Sequence, residues 1–509
     1  MRSIYSRLHA RFGRRIPGIE RRGRVQSKIA GLQQRYATMD APHAFRAVAA
    51  ASQRPHVIIV GAGFAGLMAA YALRGRCNVT VFEARDRLGG RVWSRPMSSG
   101  IIEAGGELIG YDHPLWLELA TKFDLGFSVL STDTSFESLH LEMPLYLDGT
   151  RLTEPQMKVV YDEMEAAFDS MSKQATAVHD PYQPWLAKHA VELDNMPLSK
   201  WIAGLDCTHL TRLAMEQQFS NDGGTPTDKQ SYLGNLAVVA GGAICGARND
   251  FFNNTETLRC SEGNQTLATR LADAIGIDNI HLSTPVSAIH VGEGKVSVEP
   301  KAGPAVIADY AILAIPPNLW PGNPTAKIAI DPVLPRAYHI TMGTAVKYLS
   351  PLKRRFWISD GLSPSSTSNQ FGVTWEGTDN QIAAAGTDVE LSLFSGGAAA
   401  HAALAAFKSG GQAAVRAFYE PLIGKVYSGY AANCSQPPSF IPWPDDEWTA
   451  GGYSCPAPGE VCTAGPLLNE GFHKRLFFAG EHTCPAYYGY MEGALQSGRT
   501  AASTILNLV

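Results

Sequence analysis

His56-Val57-Ile58-Ile59-Val60-Gly61-Ala62-Gly63-Phe64-Ala65-Gly66 joins a short apolar run to a glycine-rich turn. Val57–Val60 has the length and β-branching of a buried parallel strand. The residues to about Arg74 read as a helix, and Val79-Thr-Val-Phe-Glu83 as a second strand ending in an acid. That is a βαβ unit. Gly61 permits the tight turn, Gly63 lets backbone approach a pyrophosphate, and Gly66 lets the helix pack against the strand. The helix N-terminus offers N–H groups and partial positive charge to phosphates. Glu83 suits two ribose hydroxyls and repels a 2′-phosphate. NAD and FAD both use such a unit, so this stretch alone leaves the choice open.

Outside it, the 509 residues are 45% hydrophobic and 18% charged, with 49 glycines. That mixture disfavours disorder, coiled coil and collagen. The net charge of −4 gives no case for a nucleic-acid partner. Residues 1–54 hold 12 Lys+Arg against 2 Asp+Glu and read as a basic N-terminal arm, one or two helices broken at Gly13–Gly18. Such an arm suits docking on the acidic body or on a second subunit, and a homodimer is expected. The apolar stretch Leu236–Ala247 is too short and Gly-rich to cross a membrane. No secretory leader is visible, so a cytoplasmic location is expected. The eight cysteines form no CxxC, and no metal-ligand set is expected.

Residues 116–254 read as mainly helical. Met157, Val160, Met164, Phe168 and Met171 fall at helical spacing and are expected to be core. Strand-rich blocks follow at 280–314 and 343–394, then an Ala-rich helix at Ala398–Phe407. The buried strand Leu476–Gly480 and a helix from about Met491 close the chain.

Glu83-Ala-Arg85-Asp-Arg-Leu-Gly-Gly90-Arg91-Val92 separates the cofactors. Gly89 and Gly90 allow a second close backbone approach, and Arg91 reaches phosphate or flavin. This segment resembles the signature of the flavin-containing amine oxidase superfamily of monoamine, polyamine and L-amino-acid oxidases. The resemblance recurs in order. It appears in Ile102-Glu-Ala-Gly-Gly-Glu107, at Arg259–Gly263, at Val286, in Phe478-Ala-Gly480-Glu481-His-Thr483, and in Gly489-Tyr490-Met491-Glu-Gly493. It implies an α/β fold: a discontinuous Rossmann-like FAD-binding domain (55–115, 255–320, 455–509) with an inserted α+β substrate domain (116–254, 321–454). By this resemblance the backbone of Val286 holds adenine, Gly480 and Glu481 meet the pyrophosphate, and Met491 opens a helix aimed at the flavin ring. Arg85 lies within the matched segment.

The resemblance also implies two aromatic rings at the substrate path, Tyr490 and Tyr453, and an active-site lysine, Lys347 in Gly343-Thr-Ala-Val-Lys347. Members with covalent flavin place a cysteine just before the second ring. Here that residue is Gly452, so non-covalent FAD is expected. His482 most simply orders the FAD loop, and Glu107 either meets a cationic substrate or caps a turn. The implied reaction oxidises a C–N bond to an imine, with O₂ reduced to H₂O₂. Gly105–Gly110 followed by His113-Pro114, together with Gly-Glu-His-Thr-Cys484, looks more like bacterial L-amino-acid oxidases, so an L-amino acid is the expected substrate. A primary monoamine or polyamine is the alternative. An O₂-excluding desaturase or dehydrogenase, or a non-catalytic flavin-binding scaffold, would be of another class.

Overall fold

The structure, a computed structural model, describes residues 3–13, 54–97, 100–130, 139, 141–243, 251–379 and 389–509. Five parallel strands form one sheet in the order Leu476–Phe478, Tyr310–Leu313, His56–Val60, Asn78–Phe82, Ile280–His281. The three inner or C-terminal strands Leu476–Phe478, Tyr310–Leu313 and Val57–Val60 are short apolar runs buried along their length, while Asn78–Phe82 and the edge strand Ile280–His281 are partly exposed. The helix Phe64–Leu73 packs over this sheet, and the C-terminal helix Met491–Leu506 packs on it so closely that a Cβ at Gly498 would collide with the Ala65 carbonyl. A four-stranded mixed sheet (Val306–Ala308, Val296–Pro300, Val286–Val291, Ala329–Asp331) covers the other face through Ile289, Val298 and Ile330.

A seven-stranded sheet forms the second layer system, in the order Ser439–Ile441, Ala345–Leu352, Val389–Gly396, Gly372–Glu376, Ser366–Ser368, Leu145–Leu147, Thr150–Arg151. The helix Gly397–Val426 packs on it with a break at Gly410–Gly411, so the Ala-rich helix is much longer than its alanine run. A helical layer begins with Glu154–Gln174, whose Met157, Val160, Met164, Phe168 and Met171 are all buried.

Of the basic arm, only residues 3–13 and 54 are described. Ile4–Phe12 is a helix ending at Gly13, and it buries Ile4, Tyr5 and Leu8 in the helical core beside Phe168 and Phe219. The Tyr5 N–H donates to Gln218 Oε1 at 2.9 Å. The Arg7 guanidinium is sunk among Ser366 O, Thr367 Oγ1 and Thr374 O of the seven-stranded sheet. The rest of the expected break lies outside the described residues. No described helix is long and apolar enough to cross a membrane. All seven described cysteines are free thiols.

Candidate active site

A cavity of about 410 Å³ runs from the C-terminal ends of the parallel strands to the helical layer and the seven-stranded sheet. Its lining at the strand end contains Gly61, Gly63, Glu83, Arg85, Gly90, Arg91 and Val286, and further along Gly480, Glu481, Met491, Lys347, Tyr453 and Tyr490. Of the residues assigned from the sequence to the cofactor or to catalysis, Gly66 is the one absent from the lining. It sits under the turn, where a Cβ would collide with the Gly61 carbonyl oxygen. Its part is therefore the close helix–strand packing expected of it.

Gly61 has φ +107° and makes the turn. A Cβ on Gly63 would meet nothing nearer than the Gly90 Cα at 4.0 Å, so the backbone there is open to the cavity. Glu83 is buried, with its oxygens accepting from the Ala62 N–H (2.7 Å) and the Arg85 N–H (2.8 Å). The Arg85 guanidinium pairs with Asp446 and donates to Thr449 Oγ1. Glu481 gathers donors: Arg91 Nη1 at 2.7 Å, the Ser454 N–H and hydroxyl, and the Gly489 N–H at 2.7 Å. Arg91 also reaches the Gly452 carbonyl at 3.0 Å. Burial lowers His482 to about 4, so the ring is neutral, and neither ring nitrogen has a protein partner. A buried orphaned imidazole facing this cavity, beside a glycine cradle, fits the polar groups of a dinucleotide.

At the far end, Tyr453 donates to the Asp222 carbonyl at 2.7 Å, and Gly489 lies against its ring. Tyr490 has its ring 5.3 Å from that of His113. His113 is held neutral at about 3 by burial; its Nδ1 accepts from the Gly110 N–H, and its Nε2 meets Thr255 Oγ1 at 3.2 Å. Burial holds both phenols well above the ordinary tyrosine range, so neither is a base.

Lys347 lines the cavity with Nζ 2.7 Å from both Glu107 Oε2 and Glu103 O. Glu107, left undecided by its sequence, is thus the lysine's ion-pair partner. Gly452 leaves no room for a side chain: a Cβ would sit 2.8 Å from the Ala345 Cβ. Cys455 lines the cavity, but burial pushes its thiol up to about 12, so it is no nucleophile.

Two lining residues carry no sequence signal. Asp222 and Glu256 both stand near the two tyrosines and raise their pKa values. Asp222 presents open surface to the cavity. Burial away from bulk water, then the Glu256 charge, push its carboxyl well above the usual range; Arg7 acts the other way. Asp222 ends the helix His209–Asp222 and Glu256 follows the short helix Phe251–Asn254, both outside every recognisable motif.

Residues 64–506 match the family described as flavin containing amine oxidoreductase. The chain is 30% identical to putrescine oxidase of Kocuria rosea over 60% of this chain and 66% of that one. It is 26% identical to the flavin-containing amine oxidase A of Bos taurus (90% and 86% covered). It is 25% identical to the L-amino acid dehydrogenase of Synechocystis sp. (91% and 97%). Among solved structures, putrescine oxidase bound to putrescine superposes with TM-score 0.75 at 24% identity, covering 89% of this chain and 99% of that one. Cyclohexylamine oxidase from Brevibacterium oxydans superposes with TM-score 0.74 at 24% identity, with the same coverage.

Proposed function

The chain belongs to the flavin-containing amine oxidoreductase family, and on that premise we propose that it is an FAD-dependent oxidase of a primary amine carrying a second positive group. The observation that carries the substrate class is the pair of carboxylates, Asp222 and Glu256, on the cavity wall beside Tyr453 and Tyr490. Two neighbouring acids on a cavity wall resist ionising together, and an ammonium bound between them relieves that repulsion. The cations lining the cavity among the described residues are Arg85, Arg91, Lys327 and Lys347, and each is paired, with Asp446, Glu481, Glu447 and Glu107 respectively. A substrate carboxylate therefore meets no unpaired cation among them, whereas a second ammonium meets two acids.

When bound, FAD would supply the redox chemistry: it would accept a hydride equivalent from the C–H bond of the carbon bearing the amine, leaving an imine, and hand the two electrons on to O₂ as H₂O₂. The Gly61–Gly66 turn and the helix after it hold the pyrophosphate, with Glu83 at the ribose and the Val286 backbone at the adenine. Arg91 and Glu481 tie the Gly89–Gly90 turn to the Gly480 segment, and the helix beginning at Met491 opens at the cavity wall. Tyr453 and Tyr490 present π-faces to the amine nitrogen. The amine loses its proton before it reacts, so the rate rises with pH through the substrate's own titration. Lys347 supplies a fixed positive charge where negative charge develops on oxygen.

A second reading, an L-amino acid, is supported by the likeness to an L-amino acid dehydrogenase. A basic amino acid would satisfy the two acids equally well. A peroxide-coupled screen of purified holoenzyme tests both, using aliphatic diamines, simple monoamines, L-lysine, L-arginine, L-leucine and L-phenylalanine. Diamines are expected to lead. Turnover of L-leucine or L-phenylalanine at comparable kcat/KM would overturn the dication reading. Reduced flavin persisting in air would make the enzyme a dehydrogenase.

A further inference from the structure

We propose that Glu107 is the positioning residue of Lys347, and that the two act on the flavin as one unit. The inference rests on the reading above only in assigning Lys347 to the flavin's reaction.

Lys347 belongs to the strand Ala345–Leu352, flanked on both sides in the seven-stranded sheet by Ser439–Ile441 and Val389–Gly396, and it is 6% exposed. A buried ammonium on a four-carbon stem is costly unless it is paired, and it has many rotamers to lose. Its partner comes from elsewhere in the chain. Glu107 follows the hairpin of Ser94–Met97 with Gly100–Glu103, 240 residues away in sequence, and is itself 5% exposed.

The Glu107 carboxylate cannot swing. Its Oε1 accepts from Trp375 Nε1 at 3.0 Å and lies 3.3 Å from Arg259 Nη1, while Oε2 takes the Lys347 ammonium at 2.7 Å. Those donors come from three separate strands: Gly372–Glu376, Leu258–Cys260 and Ala345–Leu352. The ammonium also donates to Glu103 O at 2.7 Å and stands 5.6 Å from the Trp375 ring centroid. Two of its three protons are thus directed to fixed acceptors, and the tip of the side chain is set against the cavity wall.

Arg259 does not depend on Glu107. It also pairs with Asp379 and donates to the Gly377 carbonyl. Loss of Glu107 therefore takes the ion-pair partner from one charged group, the lysine, and the acceptor from the neutral Trp375 N–H. If Glu107 only held the fold together, its removal would lower stability without reaching the flavin through Lys347.

A double-mutant cycle on the holoenzyme separates these cases. The variants are Glu107→Ala, Lys347→Met and the double. The first readout is the reduction midpoint of the bound flavin, measured by dye equilibration with no amine present. The second is the rate at which chemically reduced flavin is reoxidised by O₂. Lys347→Met is expected to slow reoxidation on the order of a hundredfold and to lower the midpoint. Glu107→Ala is expected to lower the midpoint as well and to slow reoxidation by at least half as many decades. The double variant should be no worse than Lys347→Met alone.

Additive effects would overturn the proposal. So would a Glu107→Ala enzyme with wild-type readouts, or a Lys347→Met enzyme that moves neither. Should Glu107→Ala fail to load FAD, Glu107→Gln, which keeps an acceptor for the ammonium, carries the same cycle with an intermediate expected effect. Because neither readout uses an amine, a failed substrate screen leaves this result standing, and the reverse also holds.

Discussion

Arg91 Nη1 lies 2.7 Å from Glu481 Oε1, joining two loops 390 residues apart at the wall of the flavin cavity. Burial alone would raise the Glu481 carboxyl, but Arg91, His482 and the Ser454 hydroxyl together hold it below the ordinary range. The pair then favours folding above the ordinary carboxylate pKa, and that contribution is lost as pH falls through the depressed one. Arg91→Met removes the counter-charge of a buried carboxylate that keeps its Ser454 and Gly489 donors, and should cost about 3 kcal/mol. We expect a lower thermal midpoint and purified protein with less bound flavin. Full flavin content at an unchanged midpoint would refute the pair's role.

The flavin should leave on denaturation. Gly452 offers no sulfur and no room for one, and the Cys455 thiol is kept protonated by burial. Acid precipitation is expected to release all yellow colour to the supernatant. Colour retained in the pellet would show a covalent link.

Alkali should weaken the fold. Burial raises Glu390 to about 8 and Glu103 to about 7. Glu390 has Ser392 Oγ and the Ser350 N–H on its oxygens and feels Glu107 and Lys347. Unfolded, both would titrate near pH 4.3. The folded chain thus binds more protons between that value and about 7–8, and stability falls as pH rises through this window. Thermal midpoints measured from pH 5 to 9 should decline, and Glu390→Gln should flatten the slope. An equal slope in that variant would place the titrating groups elsewhere.

How much was legible in the sequence depended on distance along the chain. The strand–turn–helix at His56–Leu73 needs only neighbours, and each glycine has the place its spacing implies. The pairing of Ser366–Ser368 with Leu145–Leu147 and the Lys347–Glu107 contact join segments far apart, and no local pattern encodes them. Asp222 ends a helix whose polar residues look like a solvated face, and the acid that acts on it, Glu256, comes from another element. The first helix shows the same effect. Its basic composition suggests an arm lying on the surface, yet Ile4, Tyr5 and Leu8 are core and Arg7 is buried with its charge on backbone carbonyls.

That helix should therefore be needed for stability. Arg7→Met leaves the Ser366 and Thr374 carbonyls without these donors in a buried setting, at a cost of about 1–3 kcal/mol. Removing residues 1–13 also exposes Phe168 and Phe219. Thermal melts should fall for both, more for the deletion. A truncated protein with the parent's midpoint would mean that the helix is dispensable.

The last prediction concerns selection of the substrate. Asp222 and Glu256 line the cavity, and the cations around it are already paired. An ammonium that reaches them loses water and gains two acceptors, a charge-assisted contact of about 1.5–3 kcal/mol, or roughly ten- to hundredfold in KM. Asp222→Asn and Glu256→Gln keep shape and remove charge. Each should raise KM for a diamine by about tenfold or more while leaving kcat near its parent value, because the contact is made equally in ground and transition states. A monoamine of similar length lacks the second cation, so its KM should hold steady or fall. If both substrates lose affinity together, the acids serve the amine that reacts or the cavity's shape. If kcat falls instead with KM unchanged, they belong to the chemical step.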